Sequence, residues 1–273
     1  MINIKSKEKL LIALENKKHI CVGLDSDLAK IPKHLLTNDD PIFEFNKSIV
    51  EATKEIAAAY KINLAFYEKD GSKGLQSLEK TLEIIPSNIL VIGDAKRGDI
   101  GNTSQMYAQS LYEHFRFDSA TLHPYMGYDS ILPFLNYTDK VNFILALTSN
   151  PSSSDFEKLQ LQSGEYLFKK VIEKTNEWNK NKNCGIVFGA THSNELSDNI
   201  KSFKDLFVLL PGVGTKGGSL KEVVQIFTQV NNNNYIINIS RALIYADNSK
   251  NFESVIAKTI SDIHSQVALF AKY

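Results

Sequence analysis

The densest cluster of ionisable residues in the chain is GDAKRGDIGNTS, which begins at Gly93 where the apolar run ILVI ends. Asp94 and Lys96 are two residues apart, so on an extended chain both side chains project to the same side, while Asp99 lies beyond Gly98, where the chain can bend. A lone Asp-x-Lys is usually part of a solvated loop. At the C-terminal end of a strand, the same pair would stand on what is the catalytic face of a barrel. Lys61 interrupts the apolar run AYKIN. It must either snorkel from an exposed strand end or be buried beside a carboxylate, because an unpaired buried ammonium is too costly. Asp25, in CVGLDSD, stands just past another apolar run, where it reads either as a site residue or, like Asp27, as a turn or capping aspartate.

A second kind of chemistry is anion binding. In PGVGTKGGS the residues Gly212, Gly214 and Gly217 fit the dinucleotide fingerprint, but no acidic residue follows about 20 positions on to hold a ribose. The same stretch suits a phosphate site. Gly217, Gly218 and Ser219 would offer backbone N–H groups at a helix start, Lys216 would add charge, and Arg241 in INISRALIY is placed for a bidentate hold. The histidines (His19, His34, His114, His123, His192 and His264) show no paired zinc-ligand spacing, so no metal ligands are assigned. His123 and His192 fall at strand ends and read as hydrogen-bonded loop residues. No nucleophile elbow, Walker loop or base-stacking aromatic array occurs.

These residues need a scaffold that gathers strand ends. Eight short apolar runs read as buried strands: ICVGL from Ile20, AYKIN from Ala59, ILVIGDAK from Ile89, DSATLHP from Asp118, VNFILAL from Val141, CGIVFGA from Cys184, LFVLLPG from Leu206 and YIINIS from Tyr235. They recur about every 31 residues with helix-period sequence between them, the repeat length of βα units. One helix is expected after Asn102 or Thr103 as N-cap, with Tyr107, Ala108, Leu111, Tyr112 and Phe115 on one face. Eight units predict a single α/β domain over 1–273, a (β/α)₈ TIM barrel, in preference to two doubly wound domains, for which no linker is visible. PSSSDFEKLQLQSG, from Pro151 to Gly164, reads as a long loop over the barrel mouth.

Composition narrows the function classes. The chain has 273 residues, 43% hydrophobic and 23% charged, with 31 basic and 31 acidic side chains. A net charge of zero gives no global field for nucleic acid or an anionic membrane. Two cysteines make no disulfide framework and favour a reducing, cytoplasmic setting. The N-terminal apolar stretch LLIAL is too short for a signal peptide or a membrane span.

Taken together, VGLDSD, YKIN, GDAKRGDIGNTS, TSNP and PGVGTKGG with ISRALIYA resemble the orotidine 5′-monophosphate decarboxylases, with D-x-K-x-x-D as the specific element. LHPYMGYDS and the chain length look like the longer bacterial branch. The resemblance implies cofactor-free decarboxylation of orotidine 5′-monophosphate to UMP in pyrimidine synthesis. It implies a charge array of Lys61, Asp94, Lys96 and Asp99 around the scissile carboxylate, Asp25 on the ribose, Ser149 of TSNP on the pyrimidine edge and Arg241 on the phosphate. Lys96 would stabilise the carbanion and protonate it, with Lys61 and Asp99 keeping it charged and oriented. It further implies a homodimer in which Asp99 completes the partner's site. Lys216 departs from the family's usual glutamine. The alternatives are a metal-dependent sugar-phosphate lyase of the same superfamily, against which Lys61 argues because a cation repels a cation, and a non-catalytic phosphate-binding barrel.

Overall fold

The computed structural model describes residues 4–203, 205–214 and 217–272. Strands β1 (Ile20–Gly23), β2 (Ala59–Asn63), β3 (Leu90–Arg97), β4 (Ser119–Leu122), β5 (Val141–Leu147), β6 (Cys184–Phe188), β7 (Phe207–Pro211) and β8 (Tyr235–Ile239) close into one barrel in chain order. Every pairing is parallel, β8 returning to β1 through Cys21↔Asn238. All eight expected runs are strands, and the barrel is the predicted one.

Period-two alternation divides the apolar side chains into two cores. Val22, Tyr60, Ile62, Val91, Ala120 and Ile237 face outward and pack under the helices. Cys21, Ala59, Leu90, Ile92, Phe143, Leu209 and Ile236 face inward and fill the lower barrel. The same parity carries upward from Cys21 to Asp25, from Ala59 to Lys61, and from Leu90 through Ile92 to Asp94. The barrel is therefore apolar at its floor and polar at the C-terminal ends of its strands, where such folds keep their chemistry.

The lower end is plugged by helix α1 (Ser6–Glu15), whose Leu10 and Leu14 enter the inner core. Asp118, just before β4, locks it in place. Its carboxylate accepts hydrogen bonds from Lys9 Nζ and Ser6 Oγ, each at 2.8 Å, and from the Val91 N–H at 3.0 Å.

The helix after β3 differs from expectation. It spans Gly101–Gln109 with Ile100 as its N-cap and no side-chain cap, so Asn102 and Thr103 lie inside its first turn. It continues as a π turn over Ser110–His114. Ala108, Leu111 and Tyr112 are buried as expected, while Tyr107, at the edge of that face, is exposed beneath the Arg97 guanidinium at 5.3 Å. The expected covering segment after β5 starts as a 3₁₀ helix, Pro151–Asp155, and its Glu157 lines the barrel mouth.

Asp118→Ala leaves the part-buried Lys9 without its carboxylate and should lower the free energy of unfolding by about 2 kcal/mol with an unchanged far-UV spectrum. A chemical denaturation curve checks it; an unaltered midpoint would mean that α1 is held by its leucines alone.

Candidate active site

The polar end of the barrel opens into a cavity of about 1040 Å³. Asp25, Lys61, Asp94, Lys96, Ser149, Gly217 and Arg241 all line it. At its floor, Asp94 is 8% exposed and Lys61 is 5% exposed. Lys61 lies one layer below, in register with Ile92, and its long stem reaches up to place Nζ 2.8 Å from Asp94 Oδ2 and 3.4 Å from Asp25 Oδ1. Of the two sequence readings of Lys61, burial beside a carboxylate is the one observed. Lys96 Nζ approaches the other Asp94 oxygen, Oδ1, at 2.6 Å, and its side chain remains half exposed to the cavity.

Burial alone would push the Asp94 carboxyl up, but the Lys61 and Lys96 ammoniums outweigh it and hold the group well below the usual carboxylate range. Burial likewise pulls Lys61 down, and Asp94 and Asp25 more than reverse that, holding the ammonium above its ordinary value. Beneath them, burial pushes the Cys21 thiol up to about 12, so it stays protonated and inert.

Lys96 has φ of +48°, a left-handed conformation that is unfavourable for a residue with a Cβ. It sits where the register of β3 on β4 slips between Gly93 and Arg97, a bulge that turns the ammonium into the cavity. Gly98 follows with the His123 ring so close that a Cβ there would meet Nε2 at 2.4 Å. The chain is thereby led away from the barrel. Asp99 does not line the cavity; its Oδ1 accepts the Ile100 N–H at 2.8 Å instead.

The loops around the mouth are tied together by side chains that the sequence reading left without a site role; His192 is among them, a hydrogen-bonded loop residue as expected. The Tyr245 hydroxyl donates to the Asp25 carbonyl at 3.0 Å and accepts the Asp27 N–H at 2.7 Å, joining the loop after β1 to the segment after β8. Glu157 accepts the Thr148 N–H at 2.7 Å, and His192 Nε2 lies 2.9 Å from the Thr148 carbonyl. That carbonyl makes Nε2 the donor, leaving Nδ1 to accept from Lys158 at 3.3 Å. Thr148 is held on both sides, and with it Ser149, against which Gly189 and Gly212 pack so tightly that a Cβ on either would come within 3.0 Å.

The glycine-rich loop after β7 departs from the sequence reading. Gly217 lines the cavity, but its N–H donates to Gly214 O at 2.9 Å, and the Gly218 N–H donates to Gly212 O at 2.8 Å. A Cβ at Gly217 would meet Gly212 O, and one at Gly218 would meet Ala190 O, each at 1.9 Å. These glycines therefore serve a compact loop that spends its own amides, and they do not present free donors. Lys216 lies outside the described residues. Arg241, exposed at the first turn of the helix Arg241–Ile244, and the buried Ser240 hydroxyl beside it, without a partner among the described residues, remain at that corner of the cavity.

Residues 18–252 match the model of the orotidine 5′-phosphate decarboxylase / HUMPS family. The chain belongs to that family. It is 46% identical to the orotidine 5′-phosphate decarboxylase of Phocaeicola vulgatus over 96% of this chain and 97% of that one. It is also 46% identical to the enzyme of that name from Porphyromonas gingivalis, over 94% of each. Among solved structures, OMP decarboxylase of Leishmania donovani is similar with a TM-score of 0.79 and 34% identity, covering 94% of this chain and 98% of that one. UMP synthase of the same organism matches with a TM-score of 0.82 and 34% identity, covering 96% of this chain, which spans only 57% of that protein.

The depressed Asp94 carboxyl fixes the sign of a pH effect. Its ion pairs stabilise the fold above the ordinary carboxylate value near pH 4, and that contribution is lost as pH falls through the lower folded value. Asp94→Asn should cost about 3 kcal/mol at pH 7, with the gap to the parent chain narrowing below about pH 4. Denaturant unfolding at neutral and acid pH measures both; a gap independent of pH would refute the assignment.

Proposed function

We propose that the cavity decarboxylates orotidine 5′-monophosphate to UMP by fixed charge alone, with Lys96 as the group that meets the reacting carbon. One observation carries the reading: a buried aspartate clamped between two ammoniums, one of them open to a nucleotide-sized cavity. The bond from pyrimidine carbon 6 to its carboxylate breaks, the electron pair stays on carbon 6, and carbon dioxide leaves. The ring offers that pair no conventional electron sink, so it must be stabilised by charge already in place. Lys96 supplies the charge and then a proton, which gives UMP. Asp94, against the substrate carboxylate, is relieved of repulsion as carbon dioxide departs. Asp25 binds the ribose, Ser149 the pyrimidine edge and Arg241 the phosphate, whose remote binding energy favours closure of the mouth.

The metal-dependent alternative needs a divalent cation between carboxylates. Here the Lys61 ammonium already lies between Asp25 and Asp94, which supports the metal-free reading. A reducing, cytoplasmic setting fits the two cysteines, both free and buried.

Assembly belongs to the same proposal. Asp99 stands outside its own cavity, and the segments after β3 and β4 expose apolar side chains: Ile100, Met106 and Tyr107 in the first, Tyr125 and Met126 in the second. A second copy seated on this apolar surface would take Asp99 into its site and complete the four-charge array, making the protein a homodimer with shared active sites.

Lys96→Ala should lower kcat at least about a hundredfold while UMP still binds, because the lost interaction is made mainly in the transition state. Mixing Lys96→Ala with Asp99→Ala chains should restore about a quarter of the parent activity, since half the dimers are mixed and each has one intact site. Absorbance of the substrate reports both. Retained turnover in the first variant refutes the role of Lys96, and exchange of chains without recovery refutes the shared site.

A further inference from the structure

Thr121 lies on β4, 1% exposed, with its side chain on the inner face of the barrel. Its hydroxyl makes two hydrogen bonds of opposite sense. Oγ1 is 2.8 Å from Asp94 Oδ1 and 3.0 Å from the backbone nitrogen of Lys96. An amide can only donate and a carboxylate held ionised can only accept, so the hydroxyl takes the Lys96 N–H and gives its own proton to Asp94.

The Lys96 amide needs this partner because of the bulge. β3 and β4 pair through Ile92↔Ser119 and Gly93↔Ala120, slip, and resume at Arg97↔Leu122. Asp94, Ala95 and Lys96 thus stand against Thr121 alone, and the Lys96 N–H meets a side chain where a regular ladder would offer a carbonyl. The left-handed backbone at Lys96 would relax without something to hold it, since a residue with a Cβ favours other conformations. Asp94 has the complementary need. Lys61 fixes its Oδ2, and Oδ1 is shared by the half-exposed Lys96 ammonium and the rigid β-branched Thr121.

We propose that Thr121 is a positioning residue: its hydroxyl pins the β3 bulge and the Asp94 carboxylate to each other and so sets where the Lys96 ammonium stands in the cavity. Its effect on turnover rests on the decarboxylase reading, whereas its hold on the Lys96 amide does not.

Three variants test this. Thr121→Val keeps the shape and removes both bonds, Thr121→Ser keeps both bonds, and Thr121→Ala gives a smaller apolar control should valine fail to fold. Valine should lower kcat about a hundredfold, the scale of a small misplacement of a reacting group, with KM and UMP affinity within about threefold of the parent. Serine should restore most of kcat. A folded valine or alanine variant with normal kcat, or a serine variant as impaired as either, would overturn the proposal. A rise in KM at constant kcat would do the same.

Amide hydrogen exchange at Lys96 gives a readout that needs no turnover. Exchange should be slow in the parent and serine proteins and faster in the apolar variants. Equal protection in all of them would show that Thr121 does not hold the bulge, whatever reaction the cavity performs.

Discussion

A carboxylate taken out of water keeps its charge only if cations stand against it, and Asp94 has one on each oxygen. Much of the site's geometry follows from that requirement. Lys61 must be long enough to rise from a lower layer of the barrel, and Asp25 must stand near it so that the second acidic group is also offset. Lys96 must leave the regular strand path to reach the same carboxylate, which requires the bulge and the left-handed backbone. A barrel suits this arrangement because its strands bring inward side chains from distant parts of the chain to one axis, while outward neighbours anchor each strand in the outer core.

Stability and chemistry are thereby separated along the barrel. The lower layers are apolar and closed by α1, and the Lys9–Asp118 pair at that end makes no contribution to the cavity. The upper layer concentrates charge whose orientation is fixed before substrate arrives. A reaction that leaves an electron pair on one carbon needs such preorganisation, since water would have to reorient at the moment of bond breaking. The mouth loops are braced in the same spirit. Tyr245 ties the β1 and β8 ends together, and burial pushes its hydroxyl up to about 12, so it remains a donor. Glu157 and His192 hold Thr148 from opposite sides.

Strands and parity were legible in the sequence because buried parallel strands are short apolar runs, and their repetition specifies the barrel. Asp94, Lys96 and Lys61 were legible because a charge that interrupts or ends such a run needs an explanation. Asp25, Ser149 and Arg241 reach the cavity as the family resemblance implied. Thr121 and Tyr245 were not legible as site residues: a threonine in a strand and a tyrosine closing an apolar run are ordinary, and only three-dimensional register shows what their hydroxyls meet. The π turn after Gln109 is invisible to a 3.6-residue pattern, and Tyr107 lies at the edge of its helix's apolar face, where periodicity alone does not decide exposure. The glycine loop misled for a related reason. Glycine reports that backbone comes close to something, and here the nearby atoms are the loop's own carbonyls and Ala190.

The central claim is that fixed side-chain charge, and no Lewis acid, carries the reaction. The most direct test follows the absorbance of orotidine 5′-monophosphate on addition of the purified protein after exhaustive chelation. The account predicts turnover equal to that of the untreated protein, because Lys96 and Asp94 are unaffected by chelator. Activity that is lost on chelation and returns with a divalent cation would contradict it.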